Sequence, residues 1–112
     1  MNFHENINKL VESFKETQEY KEYLDLKENL KKNNEVYNML KDFKEKQNEV
    51  QISYLNGKDI SKEKQQEMEN LYSIVIQNDD CRKILECEMK INIILADLQK
   101  SMGEAIEELV KF

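Results

Sequence analysis

The sequence predicts an all-α protein, and three observations carry that prediction. The 112 residues contain no proline and only two glycines, so the punctuation that strands and tight turns require is missing. Charged residues make up 36% of the chain and alternate in sign, as in "LKDFKEKQNE", the pattern of solvated helix faces. Apolar residues recur at spacings of three and four through most of the length. We therefore expect an elongated bundle of about five helices that oligomerises, with long antiparallel helices and a long C-terminal helix. Length argues for a single domain, residues 1–112, and a hydrophobic content of 39% supports one modest core.

The first helix is expected over residues 3–15, where Phe3, Ile7, Leu10, Val11 and Phe14 share one side. Thr17 is a suitable N-cap for a second helix, with Glu19 in its first turn and Tyr20, Tyr23, Leu24, Leu26 and Leu30 as its apolar residues. "KKNNE" supplies lysines to end that helix and asparagine to begin the next. The third is expected over 35–55, with Val36, Tyr37, Leu40, Phe43, Val50 and Tyr54 apolar and Gln47 interrupting them. In "NGKDIS", Gly57 suits a left-handed position after the helix end, and Asp59 or Ser61 suits the next cap. The fourth helix is expected over 62–77 on Met68, Leu71, Tyr72, Val75 and Ile76. "QNDD" then breaks the pattern, with Asp79 as the cap of a fifth helix over 80–110.

That last helix is the most informative element. Ile84, Glu88, Ile91, Leu95, Leu98, Met102, Ala105 and Leu109 follow one another at alternating steps of four and three, a heptad seam with a single polar position. Ile94, Ala96 and Ile106 widen it beyond a two-stranded seam, so it should meet more than one neighbour. Gly103 is expected to kink or weaken the last turns. About thirty helical residues span about 45 Å, whereas a compact chain of this size has a radius of gyration of about 13–14 Å. The overhang invites a second subunit, most simply in a symmetric dimer. Ile84, Ile91, Ile94, Leu95, Leu98, Met102, Ile106 and Leu109 are the expected core and interface residues.

Catalytic chemistry finds little support. Cys81 and Cys87 are six residues apart, which on one helix turns their directions apart by about 120°. They cannot hold one metal within a chain, and small buried hydrophobes are the expected role. A thiol site at Cys81 and Cys87, redox-sensing or shared across a dimer, stays open as an alternative. His4 is the only histidine and lies near the N-terminus, far from Ser13, Ser53, Ser61, Ser73 and Ser101 in sequence, so no serine–histidine arrangement emerges. Two glycines cannot build a phosphate loop. Glu104, Glu107 and Glu108 fit a solvated helix face. The five tyrosines fit core or interface positions with their hydroxyls near water. No enzyme activity, metal or cofactor is expected.

Partners are bounded by charge. The formal net charge is −6 and the 17 basic residues are interleaved with acids, so no positive footprint exists for direct nucleic-acid or anionic-membrane binding. No segment approaches the ~18 apolar residues of a membrane span. "MNFHENINKLVESF" is amphipathic and partly acidic, unlike a signal or transit peptide, so a cytoplasmic location with free thiols is expected.

The order of the parts also resembles a known family. In "TQEYKEYLDLKENLKKNNEVYNMLKDFKEKQNEVQISYLNGKDIS" there is an acidic residue before an aromatic (Glu19, Tyr20), a polar break ("KNNE"), then Leu40, Phe43 and Gln47, then a glycine turn. "QNDDCRKILECEMKINIILADLQKSMGEAIEEL" supplies a long C-terminal helix rich in Ile, Leu and Met. Over nearly the whole chain this resembles the YlbF/YmcA family, and especially its short YheA-like, UPF0342-type branch. The resemblance implies a non-enzymatic helical protein that oligomerises and binds helical partners of the same family. It further implies regulation, since better-known relatives act in a complex that supports competence, biofilm formation and sporulation and modulates an endoribonuclease. Some relatives hold iron–sulfur clusters through cysteines of a C-terminal extension. Cys81 and Cys87 lie in the helical body and do not match those ligands. The expected function is thus a self-associating adaptor, with a holdase-like chaperone or a cysteine-based sensor as alternatives.

Overall fold

Every helix begins at a polar side chain that closes its first turn. The computed structural model describes residues 2–112, and among them the chain forms five α-helices and no strand. Asn2 Oδ1 accepts from the Glu5 N–H at 2.8 Å and opens α1 (Phe3–Lys15). The Thr17 hydroxyl works in both directions. It donates to the Phe14 carbonyl at 2.8 Å, which closes α1, and its oxygen accepts from the Tyr20 N–H at 3.3 Å, which opens α2 (Gln18–Leu30). Asn33 caps α3 (Asn34–Leu55) by accepting from the Val36 N–H. Ser61, rather than Asp59, caps α4 (Lys62–Val75) through the Lys64 N–H. Each such cap contributes about 1 kcal/mol by satisfying a donor the helix itself cannot pair.

Two boundaries differ from the sequence reading. Helix α4 stops at Val75, because the N–H groups of Gln77 and Asn78 turn back to the carbonyls of Ile74 and Val75 in a tighter, three-residue pattern. Asn78, not Asp79, then caps α5 (Asp79–Val110), accepting from the Cys81 N–H at 3.0 Å. Asp79 instead sits in the first turn, where a negative charge is favoured, and pairs with Arg82 at 2.9 Å. The same guanidinium donates to the Ile76 carbonyl at 3.4 Å, so one arginine ties the end of α4 to the start of α5. Helix α5 continues unbroken through Gly103.

The described residues group into two units, 2–25 with 85–112, and 26–84. In the second unit α3 and α4 form an antiparallel hairpin. Phe43 stacks against Tyr72 at 5.8 Å, and Glu49 pairs with Lys64 at 3.3 Å, so rising numbers on one helix meet falling numbers on the other. The reversal between them is set by Gly57 at φ +72°. The Lys58 N–H reaches the Ser53 carbonyl and the Gly57 N–H reaches the Tyr54 carbonyl, the paired bonds of a glycine-terminated helix end. Leu30, Leu40, Phe43, Val75, Cys81 and Ile84 are buried in this unit.

The first unit is built from α1, the start of α2 and most of α5. Phe14 meets Tyr20 edge-on at 5.2 Å across the α1–α2 junction. The Cys87 thiol donates to the Glu19 carbonyl at 3.0 Å and so attaches the start of α2 to α5. Among the described residues Cys87 is the one buried hydrophobic side chain of this unit, and α1 buries none.

Gly57 gives a direct check on the hairpin reversal. A Cβ there meets no steric obstacle, so the cost of Gly57→Ala is the left-handed backbone alone. We expect a loss of about 1–2 kcal/mol, read as a lower urea midpoint at unchanged slope.

Candidate functional site

Helix α5 sorts its side chains sharply by direction. At 100° per residue, Leu95, Leu98, Ile106 and Leu109 lie within about 40° of Met102, and Ile91, Ile94, Ala105 and Val110 lie within about 80°. Asp97, Lys100, Glu104, Glu107, Glu108 and Lys111 all lie about 120° or more away. From Ile91 onward, one half of the helix circumference carries no charge and the other carries all of it.

Cover over that uncharged half runs out along the helix. Ile84 is buried, Ile91 and Ile94 are half-buried, and exposure then climbs from 36% at Leu95 and 38% at Leu98 to 47% at Met102, 50% at Ile106 and 75% at Leu109. Of the side chains that the heptad pattern singled out, the chain itself buries only Ile84. Helix α1 provides partial cover. Leu10, Val11 and Phe14 face Ile94, Leu95 and Leu98 across an open groove of about 490 Å³. Phe3, Ile7, Leu10 and Val11 nevertheless remain exposed. The α1 side of this groove was missed as a site in the sequence. Its signal was present in the spacing of Leu10, Val11 and Phe14, but periodicity identifies a face and not what lies opposite it.

The family model described as control of competence regulator ComK, YlbF/YmcA, matches residues 3–107. The chain belongs to the YlbF/YmcA family. Within reach of this YlbF/YmcA domain are proteins named UPF0342. One from Desulfitobacterium hafniense is 39% identical over 110 residues, covering 98% of this chain and 89% of its own. One from Symbiobacterium thermophilum is 33% identical over 104 residues, covering 93% of each. A third, from Clostridium tetani, is 30% identical over 112 residues and covers 97% of its own length. No solved structure matches.

Other candidate groups in this YlbF/YmcA chain do not converge. His4 is exposed on α1, and no group of three or more His, Cys, Asp or Glu among the described residues is placed to hold a metal ion. Tyr20, Tyr23 and Tyr37 are half-buried, and Tyr54 and Tyr72 are exposed, so the tyrosines line no common box. A second shallow concavity runs along α3 past Lys41, Lys44, Glu45 and Gln51 and is lined by polar residues of that one helix, largely through their aliphatic stems.

Cys81 and Cys87 are both buried and free. Burial pushes both thiols up from the ordinary value of 9.0, with Asp80 adding to the effect at Cys81. At Cys87, Glu22 and Glu19 also raise it, against opposing help for the thiolate from Lys90 and the Tyr23 N–H. These are thiols held in the protonated, unreactive form. We expect a thiol reagent such as DTNB to label neither in the native protein at pH 8 and both once denaturant is added. Because the unfolded chain releases its thiol protons first, stability should be complete below about pH 9 and fall as pH rises above it. A Cys81→Ala/Cys87→Ala variant should lose that part of the alkaline decline, seen in urea midpoints from pH 7.5 to 10.

Proposed function

We propose that this protein is a regulatory adaptor that acts by binding rather than by catalysis. It self-associates, most simply as a homodimer, and presents its helices to protein partners in the cytoplasm, in the control of RNA processing or of developmental decisions such as competence, biofilm formation and sporulation. One observation carries the reading: the uncharged half of α5 with the α1 groove, an exposed apolar face on a chain in which 36% of the residues are charged. The family description, which names control of a competence regulator, supports a regulatory role. Among the described residues no helix is long and apolar enough to cross a membrane. The interleaved charges with a net of −6 favour protein partners over nucleic acid.

Self-association is tested by light scattering coupled to gel filtration. A dimer or larger species is expected at tens of micromolar, and a strict monomer would overturn the reading. Leu98→Asp should dissociate the assembly while leaving helix content largely intact, since Leu98 is exposed in the single chain and the charge is intolerable only where a partner buries it. Ile91→Asp, at a half-buried position, should also cost stability within the chain. Wild-type mass in both variants would show that the face is not an interface. An exposed apolar face also fits a holdase-like chaperone. Suppression of a client's aggregation by the wild-type protein, lost in Leu98→Asp, would favour that second reading.

A further inference from the structure

The exposed apolar residues of α5 that lie within about 40° of Met102 have a symmetry that a heptad alone does not require. Leu95, Leu98, Met102, Ile106 and Leu109 are separated by three, four, four and three residues, so the series reads the same in both directions from Met102. A two-fold contact between copies brings each surface patch against itself. For two antiparallel helices, the residue at the axis meets its own mate, and residues equally far before and after it stand at the same level. We propose that two copies of this chain join through an antiparallel α5–α5 pair with its two-fold axis at Met102. This deepens the self-association reading above and rests on it.

Three further observations fit that arrangement. The register brings the partner's Leu109 level with Leu95 and the partner's Ile106 level with Leu98, and these are the α5 positions at which the α1 groove opens. The groove therefore receives the last turns of the second α5, and those turns are the most exposed apolar residues of the seam. Met102 stands at the axis between Ser101 and Gly103, which point about 100° to either side of it, and its unbranched side chain adapts to its own mate. Charge gives the third. All six charged side chains between Ile91 and Lys111 lie on the far half of the helix, with Asp97 among the residues that line the α1 groove, so the seam from Leu95 to Leu109 itself carries no ion. A parallel pair sharing the same seam would leave α1 facing the level of Leu95 and not the uncovered C-terminal turns.

Single cysteines at the seam of the full chain separate the alternatives, because Cys81 and Cys87 are buried and the wild-type protein provides the blank. Met102→Cys, exposed to air with copper–phenanthroline as oxidant, should form a covalent dimer in high yield. Leu95→Cys and Leu109→Cys should each stay uncrosslinked alone. An equimolar mixture of the two, one copy tagged, should give the tagged–untagged heterodimer. Self-crosslinking of Leu95→Cys and Leu109→Cys to the extent of Met102→Cys would mean a parallel pair and would overturn the proposal. A dimer by light scattering in which none of these variants crosslinks would overturn the register while leaving self-association intact. A monomer by light scattering would remove both.

Discussion

An apolar stripe that runs the length of a helix has to be covered along that length, and the cover this chain provides stops part-way. Between Cys81 and Cys87 the inward side chains of α5 are buried, and from Leu95 to Leu109 they come progressively into the open. The second unit closes on Leu30, Leu40, Phe43, Val75, Cys81 and Ile84, whereas the first contributes Cys87 and an α1 with no buried residue. Each fully buried Leu, Ile or Phe stabilises by about 1.5–3 kcal/mol relative to leaving it in water. The imbalance between the units is therefore a large term left unrealised in the single chain. It is the reason the functional reading turns on association.

The polar groups define where helices start and stop and add little beyond that. The ion pairs are exposed, local ones such as Lys21–Glu16 and Lys46–Asp42 together with Glu49–Lys64 across the α3–α4 hairpin, each contributing roughly 0–1 kcal/mol. More is achieved by single groups placed at junctions. Thr17 closes one helix and opens the next with one hydroxyl, and Arg82 holds the α4–α5 corner through a carbonyl and a carboxylate. With no proline to fix the corners, these side chains and Gly57 do it.

Much of the fold was legible in the sequence because its breaks are chemically loud. Asn33, Ser61 and Gly57 act as their residue types predict, and α1 has the expected bounds. The errors fall where neighbouring residues compete for one role. Asn78 and Asp79 both suit a cap, and Arg82 draws the aspartate away from it. Ile76 continues the apolar pattern of α4, but the backbone has already tightened there. The candidate site was less legible. Ile84 and Leu109 both lie on one heptad seam, yet one is 2% exposed and the other 75%. Period tells which side of a helix is apolar, and only tertiary structure tells how far along it the neighbours reach.

The lack of a closed core around α1 has a consequence for the cell. In the proposed dimer the folding of that region would be completed against a second copy and governed by mass action, so its ordered fraction would rise with the number of chains present. At low abundance α1 and the last turns of α5 would be frayed and open to proteases, and at higher abundance they would be sheltered. A chain that paired in the proposed way would register its own expression level in its structure.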